Sequence, residues 1–377
     1  MLSITRVDAI PVSLRLRKPI LMGGGQRFER SETLVVRIET RGGLAGWGEA
    51  ASAITFTGED LPGMVDTVRR VLAPALVGQD ARQRIPLERR LDGVIGKHTG
   101  AKSACNMALL DLLGRHLDVP ACELLGGAVR ERVDVMCLLA NPTAEEDLQE
   151  AQALRAAGFS TFKLKAGVKP LPDEVGLLRT LRDRCGPAVR LCADANAAMS
   201  FEAARAYVAK AEEVDLLFLE QPFSDDQLEA TRELARRTRV PLCADEAAHS
   251  LADVLHWHAA GAIAGANLKC IKFAGPSGVM RAAIVCDALG LQVNLASKTG
   301  ESSIGNAALL HLAYTVPGLA WSVTPVSTAL AEDLVMAPLV AVAGSMALPV
   351  GPGLGVVVDP KAVASSSTEH CVPVFEN

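Results

Sequence analysis

The chain has 377 residues, nine cysteines, 38 lysines and arginines against 43 aspartates and glutamates, and a formal net charge of −5. This length exceeds one ordinary hydrophobic core and suits a barrel with a smaller second domain. The mildly acidic charge without a basic run excludes nucleic acid as an expected partner, and no apolar stretch approaches a membrane span. Cysteines without a CxxC pair, and an N-terminus without a secretory signal, predict a cytoplasmic protein.

Residues 1–127 are predicted to form an α+β domain that caps the mouth of a barrel. Two stretches alternate apolar and polar residues as strands do, at 4–16 and 33–39. Three stretches with helical periodicity follow, at 61–72, 86–91 and 101–116. The regular strand–helix step of the later chain does not occur here, which separates this domain from the barrel.

Residues 128–339 are predicted to form a TIM-like (β/α)7β barrel, which makes the chain an α/β protein. One strand, one helix and two short loops take about 25 residues, and such units in series build a parallel barrel. Eight strand candidates have this spacing: 133–139, 161–165, 189–194, 216–220, 241–245, 266–270, 291–296 and 319–324.

Local signals mark the helices between these strands. Thr143-Ala-Glu-Glu146 and Ser224-Asp-Asp-Gln227 match the capping box and predict two helix starts. Gly158 and Gly290 are predicted to follow helix ends, where glycine adopts the left-handed conformation without strain.

Carboxylates and lysines stand at the ends of successive predicted strands. Lys165, Asp194, Glu220, Asp245 and Lys269 follow one another at steps of 29, 26, 25 and 24 positions. Because the carboxyl ends of barrel strands surround one mouth, these side chains are expected to meet there. Any one of them alone would be an ordinary solvated or salt-bridged strand end, but the regular series favours a functional site.

The three carboxylates, Asp194, Glu220 and Asp245, are candidate metal ligands. Three buried carboxylates without a cation repel one another, and at least one would stay protonated. Hard oxygen donors with open coordination positions favour Mg²⁺, with Mn²⁺ as an alternative. The sequence therefore predicts a divalent metal site.

Three lysines flank these ligands and are candidate acid–base groups. Lys163 and Lys165 are two apart on a strand and point to the same face, while Lys269 is expected across the mouth. A lysine beside a metal and another cation has a lowered pKa and can act as a general base. Two such lysines could each face one side of a substrate's α-carbon.

As a set, these motifs resemble those of the enolase superfamily, and within it the muconate-lactonizing subgroup of the mandelate racemase/muconate lactonizing enzyme family. The resemblance covers nearly the whole chain. Mandelate-type members carry a histidine base on the seventh strand, and the stretch 291–296 has none, which leaves a lysine–lysine pair. The matching motifs are Lys163-Leu-Lys165, Asp194-Ala-Asn196, Glu220-Gln-Pro222, Asp245-Glu246 and Asn267-Leu-Lys269.

The resemblance implies a small-molecule carboxylate substrate and proton transfer at its α-carbon through a metal-stabilised enediolate. Lys163 is expected to hold the substrate carboxylate and to keep the pKa of Lys165 low. Asn196 and Glu246 are expected to support the ligands. In some relatives the third ligand is a glutamate, so Glu246 could replace Asp245. Which of the two opposed lysines is the base stays open.

The resemblance also implies two loops that close on the substrate, at 21–28 and 51–58. Gly23-Gly-Gly25 suits such a mobile lid, although a plain hairpin turn would also use it. Trp47-Gly48-Glu49 is expected to have a structural role. The tail, about 340–377, is expected to return to the first domain, and relatives commonly form symmetric homo-oligomers.

The loop after the seventh strand contains two further candidates. Glu301-Ser-Ser-Ile-Gly305 resembles the muconate-lactonizing pattern. Glu301 either has a polar or proton-handling role or is a favourable acid ahead of the helix predicted at 303–314. Lys298, which is unusual for the subgroup, either contacts a substrate carboxylate or is solvated.

The reaction expected first is cycloisomerisation of a muconate-like diacid. Racemisation or epimerisation of an amino-acid derivative is the alternative, because two opposed lysines suit proton transfer on both sides of a carbon, and dehydration is third. Dipeptide epimerases carry an Asp-x-Asp pair where this chain has Glu332-Asp333, which argues against that reaction. A barrel that binds metal without turnover is the non-enzymatic alternative, and it would not need two opposed bases.

Overall fold

The computed structural model describes residues 2–21, 27–325 and 329–368. It contains a three-stranded antiparallel sheet and an eight-stranded parallel sheet with helices on its outside, so the predicted barrel with an α+β capping domain is confirmed. The strands are β1 (Ile4–Leu21), β2 (Arg27–Thr40), β3 (Ala45–Ala51), β4 (Val133–Asp134), β5 (Met136–Leu139), β6 (Thr161–Lys165), β7 (Arg190–Asp194), β8 (Leu219–Glu220), β9 (Leu242–Ala244), β10 (Gly265–Leu268), β11 (Gln292–Ala296), β12 (Val323–Thr324) and β13 (Ser345–Met346).

Helices fill the connections between strands, as the repeated step predicts. None of those described is both long and apolar enough to cross a membrane. The α-helices are α1 (Leu61–Thr67), α2 (Ala73–Leu76), α3 (Arg84–Val94), α4 (Thr99–Leu117), α5 (Ala144–Ala156), α6 (Leu171–Cys185), α7 (Phe201–Ala211), α8 (Leu228–Arg237), α9 (Leu251–Ala259), α10 (Pro276–Ala288), α11 (Ser303–Thr315) and α12 (Pro360–Ser366).

The capping sheet has β2 at its centre, between β1 and β3. The sequence predicts β1 and β2 but not β3, because Ala45–Ala51 contains glycine and alanine where strands usually carry branched side chains. The small residues allow α4 to pack directly on this strand. A Cβ atom on Gly48 would lie 2.0 Å from the carbonyl oxygen of Ala104, so only glycine fits.

The parallel sheet runs in order from β5 to β12, and a bridge between Val135 and Val323 joins its two edges. All eight predicted barrel strands are present. The first is divided, because Val133–Asp134 pairs antiparallel with β13 and the parallel strand begins only at Met136. The barrel is thus nearly closed, and its carboxyl ends face the capping domain.

One of the two predicted capping boxes is confirmed. Thr143 caps α5: its hydroxyl accepts a hydrogen bond from the Glu146 amide, and the Glu146 carboxylate accepts one from the Thr143 amide. The other prediction is wrong, because the Ser224 hydroxyl donates to Asp226 Oδ1 at 2.5 Å instead. Helix α8 begins later, after Gln227, without a side-chain cap.

Gly158 and Gly290 follow α5 and α10 with φ of +94° and +71°, which confirms both predicted helix ends. The tail contacts the first domain: the Leu354 amide donates to Asp111 Oδ1 at 2.7 Å, and α12 lies against β1. The domain limits 1–127 and 128–339 stay predictions.

Candidate active site

A cavity of about 390 Å³ lies at the carboxyl ends of the barrel strands. The predicted site residues converge there, as the spacing of the strands requires, and only Glu301 does not line it. The nine that do are Lys163, Lys165, Asp194, Asn196, Glu220, Asp245, Glu246, Lys269 and Lys298.

The parallel register explains this convergence. Lys165 pairs with Asp194, and Asp194 with Glu220, at the same level of three neighbouring strands. Asp245 and Lys269 follow directly after β9 and β10. Because β6 and β10 are four strands apart in a barrel of eight, Lys165 and Lys269 stand on opposite sides of the mouth.

Each of the three predicted metal ligands forms an ion pair with a lysine. All of these side chains are almost fully shielded from solvent, so the pairs interact in a medium of low dielectric constant. Removal of either member of such a pair would leave the other as an unpaired buried charge, at a large cost in the free energy of unfolding. The pairs are Lys165 with Asp194 (2.7 Å), Lys163 with Glu220 (2.5 Å) and Lys269 with Asp245 (2.5 Å).

A fourth lysine, Lys272, belongs to the site and was missed by sequence reasoning. Its fully buried ammonium donates to Asp245 Oδ1 at 2.8 Å, to the Asp245 carbonyl at 2.8 Å and to the Asn267 carbonyl at 2.6 Å. It lies three positions after Lys269, in the turn that follows β10. That spacing was the available signal, but it falls outside the strand pattern.

Asn196 and Glu246 connect two of the strand ends. Asn196 accepts a hydrogen bond from Lys165 Nζ at 2.5 Å, and its amide donates to Asp194 Oδ1 at 3.0 Å. Its side-chain nitrogen donates to Glu246 Oε1 at 3.2 Å. Burial, reinforced by the negative charges of Asp245 and Asp194, raises the pKa of Glu246 to about 8, so this carboxyl holds a proton at neutral pH.

Two neutral amides orient the ligands from behind. The Gln221 side-chain oxygen accepts hydrogen bonds from the amides of Asp245 at 2.9 Å and Ala247 at 3.1 Å, which fixes the turn after β9. Asn267 Nδ2 donates to Glu220 Oε1 at 2.7 Å. Both residues lie within motifs quoted above, but the sequence gives no indication of these contacts.

The two predicted ligands on β7 and β8 have pKa values shifted in opposite directions. Burial alone would raise the pKa of Asp194, but the ammonium groups of Lys165 and Lys163 outweigh it and hold that pKa below its usual range. For Glu220, burial together with the charge of Asp194 exceeds the opposing effect of Lys163, so its pKa is raised. Like charges at one site account for the difference.

The same balance applies at the third ligand. Burial alone would raise the pKa of Asp245, but Lys269 and Lys272 hold it well below its usual range. Conversely, burial would lower the pKa of Lys269, but Asp245 and Glu220 raise it. Without the charge of a metal ion, the carboxylates around Lys269 determine its pKa, so the lowered pKa expected beside a bound cation stays a prediction.

The chemistry of the donor set fits a divalent cation. Three carboxylates on adjacent strands line one cavity, and Glu246 Oε2 is buried without a hydrogen-bond partner in the described chain. Within residues 2–21, 27–325 and 329–368, no three His, Cys, Asp or Glu side chains have the arrangement of a metal site, since each carboxylate is turned to a lysine. Hard oxygen donors of this kind suit Mg²⁺ or Mn²⁺ once the ammonium groups release them.

The opposite edge of the cavity is formed by the loop after β11. Lys298 lines the cavity, and its nitrogen lies 5.6 Å from the centre of the Phe28 ring. Glu301 is buried behind it, where one carboxylate oxygen accepts the Lys298 amide at 3.3 Å. Burial and the charge of Glu49 raise the pKa of Glu301 to about 8.

Glu49 itself binds the start of α11. Its carboxylate accepts hydrogen bonds from the Ser302 amide at 2.7 Å, the Ser302 hydroxyl at 2.6 Å and the Gly305 amide at 2.8 Å. Burial raises the pKa of Glu49 to about 7. This contact joins the capping sheet to the barrel, in keeping with the structural role expected of its motif.

The two predicted lid loops border the cavity. Thr55 and Phe56 line it from the second loop, and the Phe56 ring centre lies 4.6 Å from Lys269 Nζ. Phe28 lines it from the first loop. Residues 22–26, with the glycine run, lie outside the described residues, so lid motion stays a prediction.

Comparison with known proteins agrees with this geometry. Residues 146–362 match the enolase C-terminal domain-like family. Residues 4–126 match the N-terminal domain of the mandelate racemase/muconate lactonizing enzyme family. Together the two matches cover most of the chain and correspond to the barrel and the capping domain.

Several relatives have known activities. The chain is 33% identical to muconate cycloisomerase 1 of Rhodococcus opacus, over 88% of this chain and 89% of the relative. It is 25% identical to an N-succinyl-L-Arg/Lys racemase of Bacillus cereus, over 83% and 85%. The structure of muconate lactonizing enzyme from Pseudomonas fluorescens, complexed with muconolactone, superposes with a TM-score of 0.92 at 26% identity, over 97% of this chain and 99% of that one.

The resemblance predicted from the strand-end motifs is thus confirmed along the length of the chain. The relatives just described are cycloisomerases and a racemase, which are both kinds of isomerase. The chain belongs to the mandelate racemase/muconate lactonizing enzyme family of the enolase superfamily, in its muconate-lactonizing subgroup, and is an isomerase.

Proposed function

We propose that this isomerase is a divalent-metal-dependent cycloisomerase of a muconate-type dicarboxylate. The observation that carries the proposal is the placement of Lys165 and Lys269 on opposite sides of one cavity, each beside a carboxylate. Relatives that are cycloisomerases match the chain over most of its length, which supports this reaction ahead of others.

Asp194, Glu220 and Asp245 would hold the cation, Mg²⁺ or Mn²⁺, with Glu246 as the alternative to Asp245. When bound, the ion would stabilise negative charge on the substrate carboxylate while the neighbouring carbon exchanges a proton. Cytoplasmic location and a symmetric homo-oligomer stay predictions.

The lysines bind the substrate and move the proton. In cycloisomerisation, an oxygen of one carboxylate bonds to a carbon of the diene, the double bond opens, and an ammonium group delivers a proton to the carbon beside the other carboxylate. With Asp245 and Glu220 as neighbours, whose charges exceed the effect of burial, the pKa of Lys269 is raised, which favours the ammonium form that a proton donor needs. The raised pKa of Lys163, where the charge of Glu220 exceeds the effect of burial, suits a permanent cation that binds a carboxylate.

Racemisation of an N-acyl amino acid is the second candidate. The same opposed placement of Lys165 and Lys269 favours it, because one lysine could remove the α-proton while the other returns a proton to the opposite face. The racemase relative, at 25% identity, supports this reaction more weakly than the cycloisomerase relative supports the first.

The test is proton NMR in D₂O with Mg²⁺, using cis,cis-muconate and N-succinyl amino acids as substrates. A lactone spectrum would establish the cycloisomerase. Loss of an α-proton signal without a new product would identify the racemase. Lys165→Ala and Lys269→Ala are each expected to lower turnover by about 10²–10⁴-fold, the usual contribution of general acid–base catalysis.

Both variants should keep the circular dichroism spectrum and the binding of Mn²⁺. A matched control is Lys210→Ala, since this exposed lysine on α7 does not line the cavity; it should leave turnover unchanged. Unchanged turnover in both Lys165→Ala and Lys269→Ala would disprove the lysine mechanism.

A further inference from the structure

Lys298 differs from the other lysines that line the cavity. Lys163, Lys165 and Lys269 each lie within 2.7 Å of a carboxylate oxygen. In the described part of the chain, no Asp or Glu oxygen lies within 4.0 Å of the Lys298 nitrogen. The ring of Phe28, 5.6 Å away, is its neighbour instead. Within the described chain, its positive charge is therefore directed into the cavity without a carboxylate at salt-bridge distance.

The backbone around Lys298 is held in place. Its amide donates to Glu301 Oε2 at 3.3 Å. Gly300 has φ of +88°, and a Cβ atom there would lie 2.1 Å from Ser31 on β2. The loop is thus packed tightly against the same capping strand that carries Phe28. The fold therefore holds both the loop backbone at Lys298 and the Phe28 ring in place. Lys298 is thus not an unrestrained surface side chain.

The ammonium lies across the cavity from Asp194, one of the three predicted metal ligands. Lys298 lies two residues after β11, and β11 is four strands from β7 in the barrel of eight. Asp194, at the end of β7, is therefore on the far side of the mouth. A substrate with one carboxylate on the ligand side would extend its other end towards Lys298.

In the described chain, burial and neighbouring cations act on Lys298 more strongly than the more distant carboxylates of Glu301 and Asp245 do. Burial, together with the positive charges of Lys269 and Lys165, lowers the pKa of Lys298 to about 8. A partly desolvated cation near two others is costly to maintain. An anion from a ligand would remove that conflict, as the carboxylates do for the other three lysines.

We propose that Lys298 binds a second carboxylate of the substrate and that the enzyme thereby selects dicarboxylates over monocarboxylates. The inference rests on the proposed function for the first carboxylate, but it holds for both candidate reactions. Muconate and N-succinyl amino acids alike carry a second carboxylate. A single ammonium beside an apolar ring suits one negative charge, and it would repel the ammonium of a dipeptide.

The test compares the binding of adipate and monomethyl adipate by titration calorimetry in Mg²⁺. The two compounds share a six-carbon chain and differ by one charge. The wild type should bind adipate about 10- to 100-fold more tightly, the usual size of a hydrogen bond to a charged group. Lys298→Met should bring adipate to the level of the ester while the ester's affinity changes by less than about twofold. Lys298→Arg should keep most of the preference.

Each outcome has one meaning. If folded Lys298→Met keeps the full preference for adipate, the second-carboxylate site is disproved and the proposed function stands, because the ester still binds. If the wild type binds both compounds equally, the second-carboxylate site is disproved by the wild type alone, and the proposed function again stands. If neither compound binds to the wild type in Mg²⁺, the inference fails, and the NMR test with cis,cis-muconate decides the proposed function separately.

Discussion

The two sides of the cavity use the same kinds of residue in opposite ways. On the ligand side, which comprises Asp194, Glu220, Asp245 and their lysines, every carboxylate has an ammonium partner. On the β11 side, which comprises Lys298 and Glu301, the ammonium has no such partner in the described chain. The buried carboxyl there has a raised pKa and holds a proton at neutral pH.

This difference separates the charges that are paired within the fold from the charge that needs a ligand as its partner. Paired buried charges compensate each other's loss of hydration, so that removing one leaves the other exposed to the full penalty. Unpaired groups either stay neutral or need a ligand. Substitution of a ligand-side carboxylate should therefore affect stability and metal binding, and substitution of a ligand-side lysine should affect stability without loss of metal binding. Substitutions on the β11 side should affect selectivity and pH dependence.

The largest effect is expected for Glu220→Gln, which removes a charge from the ligand side with little change of shape. Lys163 would lose its carboxylate partner, 2.5 Å away. Leaving a buried cation unpaired costs about 3–5 kcal/mol of unfolding free energy. Binding of Mn²⁺ should also weaken by more than about 100-fold, because one of three charged ligands is lost. Urea unfolding and electron paramagnetic resonance of free Mn²⁺ measure the two effects.

A matched control is Glu213→Gln. Glu213 pairs with Arg179 on the surface, where both side chains are about half exposed. Such pairs contribute less than about 1 kcal/mol, and this variant should bind Mn²⁺ normally. Equal losses of unfolding free energy in Glu220→Gln and Glu213→Gln would show that the buried pair contributes no more than a surface pair. The contrast between the two sides of the cavity would then be removed.

A smaller effect is expected for Lys272→Met, which tests the residue that sequence reasoning missed. Its ammonium is fully buried and binds Asp245 and the Asn267 carbonyl. The variant keeps the apolar stem but leaves two carbonyls and one carboxylate oxygen unsatisfied, at a cost of about 2–4 kcal/mol. Urea unfolding measures the loss. A change within about 0.5 kcal/mol, as expected for Lys210→Met on the surface, would contradict the assigned contacts.

The sequence predicted that the ligand-side residues would meet, because the spacing of the strands determines where they lie; their roles in metal binding and proton transfer stay predictions. In a parallel barrel, the ends of successive strands meet at one mouth, so a constant spacing along the chain is enough to bring Lys165, Asp194 and Glu220 together. The spacing rule did not identify Lys272, because this residue lies in the turn after β10 and not at a strand end. Its contacts depend on the path of that turn, which no periodic pattern encodes.

The β11 side depends on contacts between distant parts of the chain. Glu49 binds Ser302, 253 positions away, and Gly300 packs on Ser31 of the capping sheet. The sequence raised Glu301 and Lys298 as candidates but left each with two interpretations. Only the packing of the capping domain on the barrel shows that Glu301 lies behind the cavity and Lys298 within it.

The last effect, expected for Glu301→Gln, is the smallest per pH unit, and it depends on pH. Burial and Glu49 raise the pKa of Glu301 from 4.5 to about 8 in the folded protein. The folded state therefore keeps a proton that the unfolded state releases. The stability that this proton contributes is complete below pH 4.5 and is lost as pH rises to about 8. Glutamine mimics the protonated side chain and cannot titrate.

Relative to Glu301→Gln, the wild type should thus lose about 1.4 kcal/mol of unfolding free energy for each pH unit between about 5.5 and 7.5. Urea unfolding of both proteins at three pH values in this range measures the difference, and other titrating groups largely cancel. Glu213→Gln should show no such trend. A constant difference for Glu301→Gln would mean that Glu301 is already ionised in the folded protein. The β11 side would then contain a permanent negative charge beside Lys298, and its lysine would no longer depend on a substrate carboxylate for compensation.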